Sequence, residues 1–239
     1  MSDNLAKIFM RTGDLKNPPR FFVIGDSHAL FFAGAESLEE THAVIPGAHA
    51  GYRVFYVGPG LASSLVKPAS ANRTREKIEM ALQEIHASGV KDIIFVFGEI
   101  DCRFHIRSRA IKNKGDHPDQ WLEAAQLSAT NYLNFLVEVK QRGFSPVVFA
   151  PIASTPRPVA DIPWLTLGTV QERNWLTFRF NVLLARHCAA QHIPFVSLLD
   201  VLVDEKLQTK QGFSKDGTHL SQEFWPLWQE RAKGAGLTV

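Results

Sequence analysis

Phe21-Phe22-Val23-Ile24-Gly25-Asp26-Ser27-His28 is an apolar run that passes, across a single glycine, into three polar side chains. A run without alternation reads as a strand buried on both faces, as in a parallel sheet, and the polar residues read as a strand-to-helix turn. Four more such runs, at 53–57, 92–97, 146–150 and 193–197, are bounded by turn residues, and a shorter one at 43–45 is expected as an extra edge strand. Helical patterns fall between them, at 30–40, 74–88, 120–142, 171–191 and 221–233. The second has Asn72 as an N-cap candidate, Gly89 just past its end, and Ile78, Leu82 and Ile85 on one face. Alternating strands and helices imply right-handed crossovers and an α/β class. The expected fold is a three-layer α/β/α sandwich around a central, mainly parallel five-stranded sheet, with ligands beyond the carboxyl ends of the strands.

The chain has 239 residues, 45% of them hydrophobic, which suits one sizeable domain. Residues 1–19 read as an N-terminal extension closed by Asn17-Pro18-Pro19, and 20–239 as the single domain. Lys and Arg total 26 against 24 Asp and Glu, a net charge of +2, which gives no field that argues for nucleic acid. Cys102 and Cys188 lack metal-ligand spacing and read as buried thiols. The N-terminus lacks the apolar core of a secretory leader, and no apolar stretch reaches the ~18 residues of a membrane span, so a soluble, cytoplasmic protein is expected. No Gly-x-Gly-x-x-Gly follows the first strand, which argues against dinucleotide binding.

The chemistry lies at the two ends of the chain. Asp216-Gly217-Thr218-His219 places an acid and an imidazole three residues apart on one loop, where the aspartate can fix the tautomer of a histidine that takes the proton of Ser27. The structural alternative makes Ser27 a helix cap, Asp216 and Thr218 a turn, and Ser221 an N-cap. A second strand end, Gly98-Glu99-Ile100-Asp101-Cys102-Arg103, brings two carboxylates and a guanidinium to the same sheet edge, with a loop salt bridge of Arg103 to Glu99 or Asp101 as the plain reading. Arg103, His105, Arg107, Arg109, Lys112 and Lys114 form a basic run that reads either as a solvated loop or as a receiver of an anionic group. His28 and His49 are further possible contacts, and neither has metal-ligand spacing. Pro151–Pro158 reads as a stiff pocket wall or a connector. Trp164, Trp225 and Trp228 read as aromatic platforms or as core.

Taken together, Gly25-Asp26-Ser27, Gly98-Glu99-Ile100-Asp101 and Asp216-x-x-His219 resemble the blocks of the SGNH hydrolase superfamily, the GDSL esterases and lipases, over about residues 20–230. The resemblance implies a flavodoxin-like fold with Ser27 as nucleophile, His219 as general base and Asp216 as its orienting acid. It also implies oxyanion donors in the Ser27 amide and in a glycine after the second parallel strand, for which Gly58 is the choice and Gly51 the reserve. The family's third block is Gly-x-Asn-Asp, and Ile100 stands where its asparagine would donate. The stretch also resembles a bacterial SGNH-like subgroup that carries Gly-Glu-Ile-Asp here, and Arg103 or His105 is the candidate source of the missing positive potential near the oxyanion, with Asp101 grouped beside them as a candidate oxyanion or substrate contact. The implied activity is hydrolysis of an O-acyl or acetyl ester on a carbohydrate or other small polar molecule, with no cofactor and no metal. A glycan O-acyltransferase or a non-catalytic binding module are the alternatives.

Overall fold

The computed structural model describes residues 10–12, 19–37, 49–67, 72–113, 115–156 and 166–239. Its six strands are β1 (Met10–Thr12), β2 (Phe21–Gly25), β3 (Tyr52–Tyr56), β4 (Asp92–Val96), β5 (Ser145–Phe149) and β6 (Phe195–Val196). They lie in the order β1-β3-β2-β4-β5-β6. The five expected strands are parallel, and β1 adds an antiparallel edge on β3 with Met10 opposite Tyr56. The N-terminal extension therefore contributes a strand to the sheet. The shorter strand expected at 43–45 lies outside the described residues.

Consecutive β2 residues face opposite layers. Phe22 and Ile24 pack with Phe55, Ile93 and Phe95 against helices α1 (Thr74–Ser88), α3 (Pro118–Gln141) and α4 (Val170–Ala190). Phe21 and Val23 pack with Val54, Ile94 and Phe149 on the other side, against the 3-10 turn Ser27–Ala33 and α5 (Trp225–Gly234). Both faces being covered explains the runs without alternation. On α1 the buried residues Ile78, Ala81, Leu82 and Ile85 repeat at helical spacing, which gives the helix its sheet-facing stripe.

Three expectations are corrected. Over the described part of the helix expected at 30–40, which ends at residue 37, the chain forms a 3-10 turn that begins at Ser27 and is closed by Gly34, whose φ of 80° lets its amide reach back to the Leu30 and Phe31 carbonyls. The basic stretch is no solvated loop over its described part: Asp101–His105 form a π-helical turn that runs into α2 (Ile106–Asn113). Asn72 does not cap α1; Arg73 takes the N-cap position and the Asn72 amide donates to the Pro59 carbonyl.

The chain starts its parallel strands in the middle of the sheet. β3 lies on one side of β2 and β4 on the other, so their connections diverge and open a crevice at the carboxyl end of β2. Ser27 stands at that switch point. Gly25 permits it: a Cβ there would meet the Val96 carbonyl oxygen at 2.5 Å and the Ala29 Cβ at 2.9 Å.

Candidate active site

Each element at the crevice brings one part. The Asp26 amide donates to the Val96 carbonyl at 3.2 Å, and the Asp26 carboxylate accepts from the His28 amide at 3.0 Å, which closes the turn around half-buried Ser27. Burial raises Asp26 to about 6. From β3, the Val57 amide donates to the Gly25 carbonyl at 3.0 Å and sets Gly58 beside this turn.

The third part comes from 190 residues downstream. His219 is 7% exposed, and its Nδ1 lies 2.6 Å from Asp216 Oδ2. The other carboxylate oxygen of Asp216 accepts from the His219 amide at 2.8 Å, the Thr218 amide at 2.8 Å and the Ser214 hydroxyl at 3.0 Å. Burial pushes Asp216 up, but these hydrogen bonds outweigh it and hold the carboxyl at about 2. With Nδ1–H committed to Asp216, Nε2 carries the lone pair, and this buried nitrogen has no hydrogen-bond partner among the described residues. Burial first, and the charge of His28 second, lower the pKa of His219. Its ring lies 5.1 Å from the ring of His28, the residue after Ser27.

Glu36 straps this loop to the Ser27 turn. Its Oε1 accepts the Ser221 hydroxyl at 3.0 Å and the Gln222 amide at 2.8 Å, while the Gln222 side chain donates to the Phe31 carbonyl at 2.9 Å and the Ala35 carbonyl at 3.3 Å.

Beneath the turn lies a buried ionic cluster. His28 Nε2 is 3.3 Å from Glu99 Oε2, and Arg103 Nε is 3.0 Å from Glu99 Oε1. Burial would raise Glu99, but Arg103 and His28 hold it at about 2. Burial would lower His28, but the hydrogen bond to Glu99 and the Asp26 charge raise it. The adjoining cavity of ≈ 10 Å³, lined by Asp26, His28, Glu99 and Ile152, holds about one water, so the cluster is packed support and no substrate chamber.

Several expected site residues stand elsewhere. Gly51 precedes β3, where its carbonyl accepts the Arg20 and Phe21 amides at the amino ends of the strands; this corrects the reserve choice, because it is the wrong end of the sheet. His49 is at the same end, stacked on Trp225 and 2.6 Å from the Gln222 side chain. Trp228 is fully buried against Phe32. Asp101 is fully buried and accepts the Ala62 amide at 2.7 Å and the Ser63 amide at 3.2 Å, so it caps the 3-10 turn Ala62–Ser64 and does not pair with Arg103. His105 is half-buried against the Phe104 ring. Arg107 pairs with Asp116 and Glu172, and Arg109 donates to Ser63 and Ser128. Lys114, Trp164 and the Arg157-Pro158 end of the proline stretch lie outside the described residues. Both cysteines are free and buried. No cluster of His, Cys, Asp and Glu among the described residues could hold a metal ion, and no helix there is long and apolar enough to cross a membrane. Sequence reasoning missed Glu36, whose partners are 185 and 186 residues away, and the pairing of Glu99 with His28.

No family model matches the chain and no curated protein matches it. Solved structures do. A GDSL-like lipase from Bacteroides thetaiotaomicron superposes with a TM-score of 0.51 at 14% identity, covering 98% of this chain and 94% of its own. A provisionally assigned acylhydrolase from Bacteroides fragilis superposes with a TM-score of 0.54 at 13% identity, covering 98% and 92%. The chain has the SGNH hydrolase fold. In that fold the described strands place Gly25-Asp26-Ser27, Gly58 and Gly98-Glu99-Ile100-Asp101 at one sheet edge, and the Asp216–His219 loop reaches the same edge from the C-terminal side.

Proposed function

We propose that this SGNH-fold chain is a serine esterase that removes a short acyl group, such as acetyl, from a carbohydrate or other small polar molecule. The observation that carries the reading is the state of His219: Nδ1 is tied to a carboxylate at 2.6 Å while Nε2 is buried and unpartnered beside the Ser27 turn. A histidine that served only packing would have no use for that polarity. The substrate class rests on the family resemblance.

In this mechanism His219 Nε2 takes the Ser27 proton as Oγ attacks the ester carbonyl carbon. The Ser27 and Gly58 amides hold the oxyanion. Collapse of the tetrahedral species breaks the bond to the leaving oxygen, which receives the proton from His219. Water, deprotonated by the same nitrogen, then attacks the acyl-enzyme and releases the carboxylic acid and free Ser27. Asp216 stays ionised and keeps the imidazole oriented. Arg103, with Nε on Glu99, adds a positive charge that acts on Asp26 and His28, the residues on either side of the nucleophile. The route uses no metal and no cofactor. If a sugar hydroxyl replaces water in the last step, the same groups make an acyltransferase.

Ile100 favours a second reading, a binding module that keeps the crevice without turnover, because a lost oxyanion donor costs roughly a hundred- to a thousandfold in rate. A fluorophosphonate probe separates the two. The esterase labels as wild type and not as Ser27→Ala, and hydrolyses members of a panel of acylated sugars and nitrophenyl esters; absence of Ser27-dependent labelling and turnover leaves the binding module.

A further inference from the structure

Ile100 leaves the proposed oxyanion position with amide donors alone, and one of those amides has an unusual neighbour. Lys77, on the first turn of α1, is 5% exposed, a rare state for a lysine. Its Nζ donates to the Val57 carbonyl at 3.0 Å, and a Cβ on Gly58 would lie 3.4 Å from that same nitrogen. Among the described residues no carboxylate pairs with Lys77; burial and the charge of Arg73 both lower its pKa. A buried ammonium that satisfies itself on one carbonyl costs stability, which calls for a use.

The Val57 carbonyl and the Gly58 N–H are the two ends of one planar peptide group. A cationic donor on the oxygen draws electron density through the amide and strengthens its N–H as a donor, in the manner of any polarised hydrogen-bond chain. We propose that Lys77 is a positioning residue that polarises the Val57–Gly58 peptide, so that the Gly58 amide supplies part of the oxyanion stabilisation for which Ile100 has no donor. This rests on the esterase reading above.

The experiment compares wild type, Lys77→Met, which keeps length and loses charge, and Lys77→Arg, which keeps a cation. With nitrophenyl acetate, kcat of Lys77→Met should fall roughly ten- to a hundredfold, less than for outright loss of a donor, while KM stays within about twofold. Lys77→Arg should restore a large part of the loss. In 15N-glycine spectra, the Gly58 amide should move upfield in Lys77→Met more than glycines remote from Lys77. A Lys77→Met protein that turns over at the wild-type rate, while Ser27→Ala does not, overturns the proposal and leaves Lys77 as an anchor of α1. If wild type shows no Ser27-dependent turnover, the esterase reading fails instead; the glycine spectrum then decides the polarisation, and an unmoved Gly58 resonance overturns it.

Discussion

Glu36 is the residue on which the meeting of the two chain ends depends, and its removal should be costly in a calculable way. The residue is 8% exposed, and one carboxylate oxygen receives the Ser221 hydroxyl at 3.0 Å and the Gln222 amide at 2.8 Å. Each hydrogen bond to a charged acceptor is worth about 1.5–3 kcal/mol. The ion pair with Lys215, whose side chain is 65% exposed, adds little. Glu36→Ala should therefore cost about 3 kcal/mol, allowing for water reaching part of the gap, which lowers Tm by roughly 6–12 °C in a domain of this size. Glu36→Gln keeps an acceptor oxygen at the same place and should lose about 1 kcal/mol. The functional loss should exceed the stability loss. Ser221 and Gln222 follow His219 by two and three residues, and a displacement of about 1 Å at a catalytic group costs about a hundredfold in rate. Calorimetry for Tm and ester turnover at 20 °C below the lower Tm separate the two effects. A Glu36→Ala protein with wild-type Tm and wild-type kcat would show that the loop finds its place without the strap, and the reasoning would be wrong.

Two further outcomes follow from the charge arrangement and the caps. On the esterase reading His219 acts when neutral, and its pKa is lowered from 6.5 by burial and by His28, so kcat/KM should be complete at neutral pH and fall as pH drops through a value below 6.5; His28→Asn should move that acid limb upward, and an unmoved limb refutes the coupling. Asp101→Ala leaves the buried Ala62 and Ser63 amides without their acceptor and should cost about 2–4 kcal/mol in denaturant unfolding, with Asp101→Asn much milder; equal loss in both variants would refute the capping role.

The fold was legible because its signals are local. Runs buried on both faces, such as 21–24 and 92–97, and the stripe Ile78-Leu82-Ile85 depend only on neighbours in sequence. The 3-10 turn at Ser27 was not legible as such. Leu30, Phe31 and Phe32 fit a helical pattern, and only the tight packing of Ala29 under Gly25 and the reversal at Gly34 shorten it. The basic run misled for a related reason. Arg107 gains Glu172 and Asp116 as partners, and the Glu172 contact, 65 residues away, leaves no local signal in the sequence. In the candidate site, Ser27, Asp216 and His219 could be named because each stands in a short motif; Gly58 could be put ahead of Gly51 from sequence, but setting Gly51 aside needed the end of β3 at which it sits.

On the esterase reading, the buried cluster under Ser27 acts on His219 through His28. Burying Glu99, Arg103 and His28 together offers little stability, since the attraction among them roughly offsets their desolvation. Yet the two histidines, with rings 5.1 Å apart, are pushed in opposite directions: His28 upward through Glu99 and Asp26, His219 downward through burial and the charge of His28. Paired groups whose surroundings separate their pKa values divide the labour of proton transfer between them. On the esterase reading, these opposite directions favour the proton on His28 over His219 and leave Nε2 of His219 the more readily empty of the two. Glu99 is then what raises His28, and its neutral variant Glu99→Gln should leave the Asp216–His219 contact in place while lowering the pKa of His28.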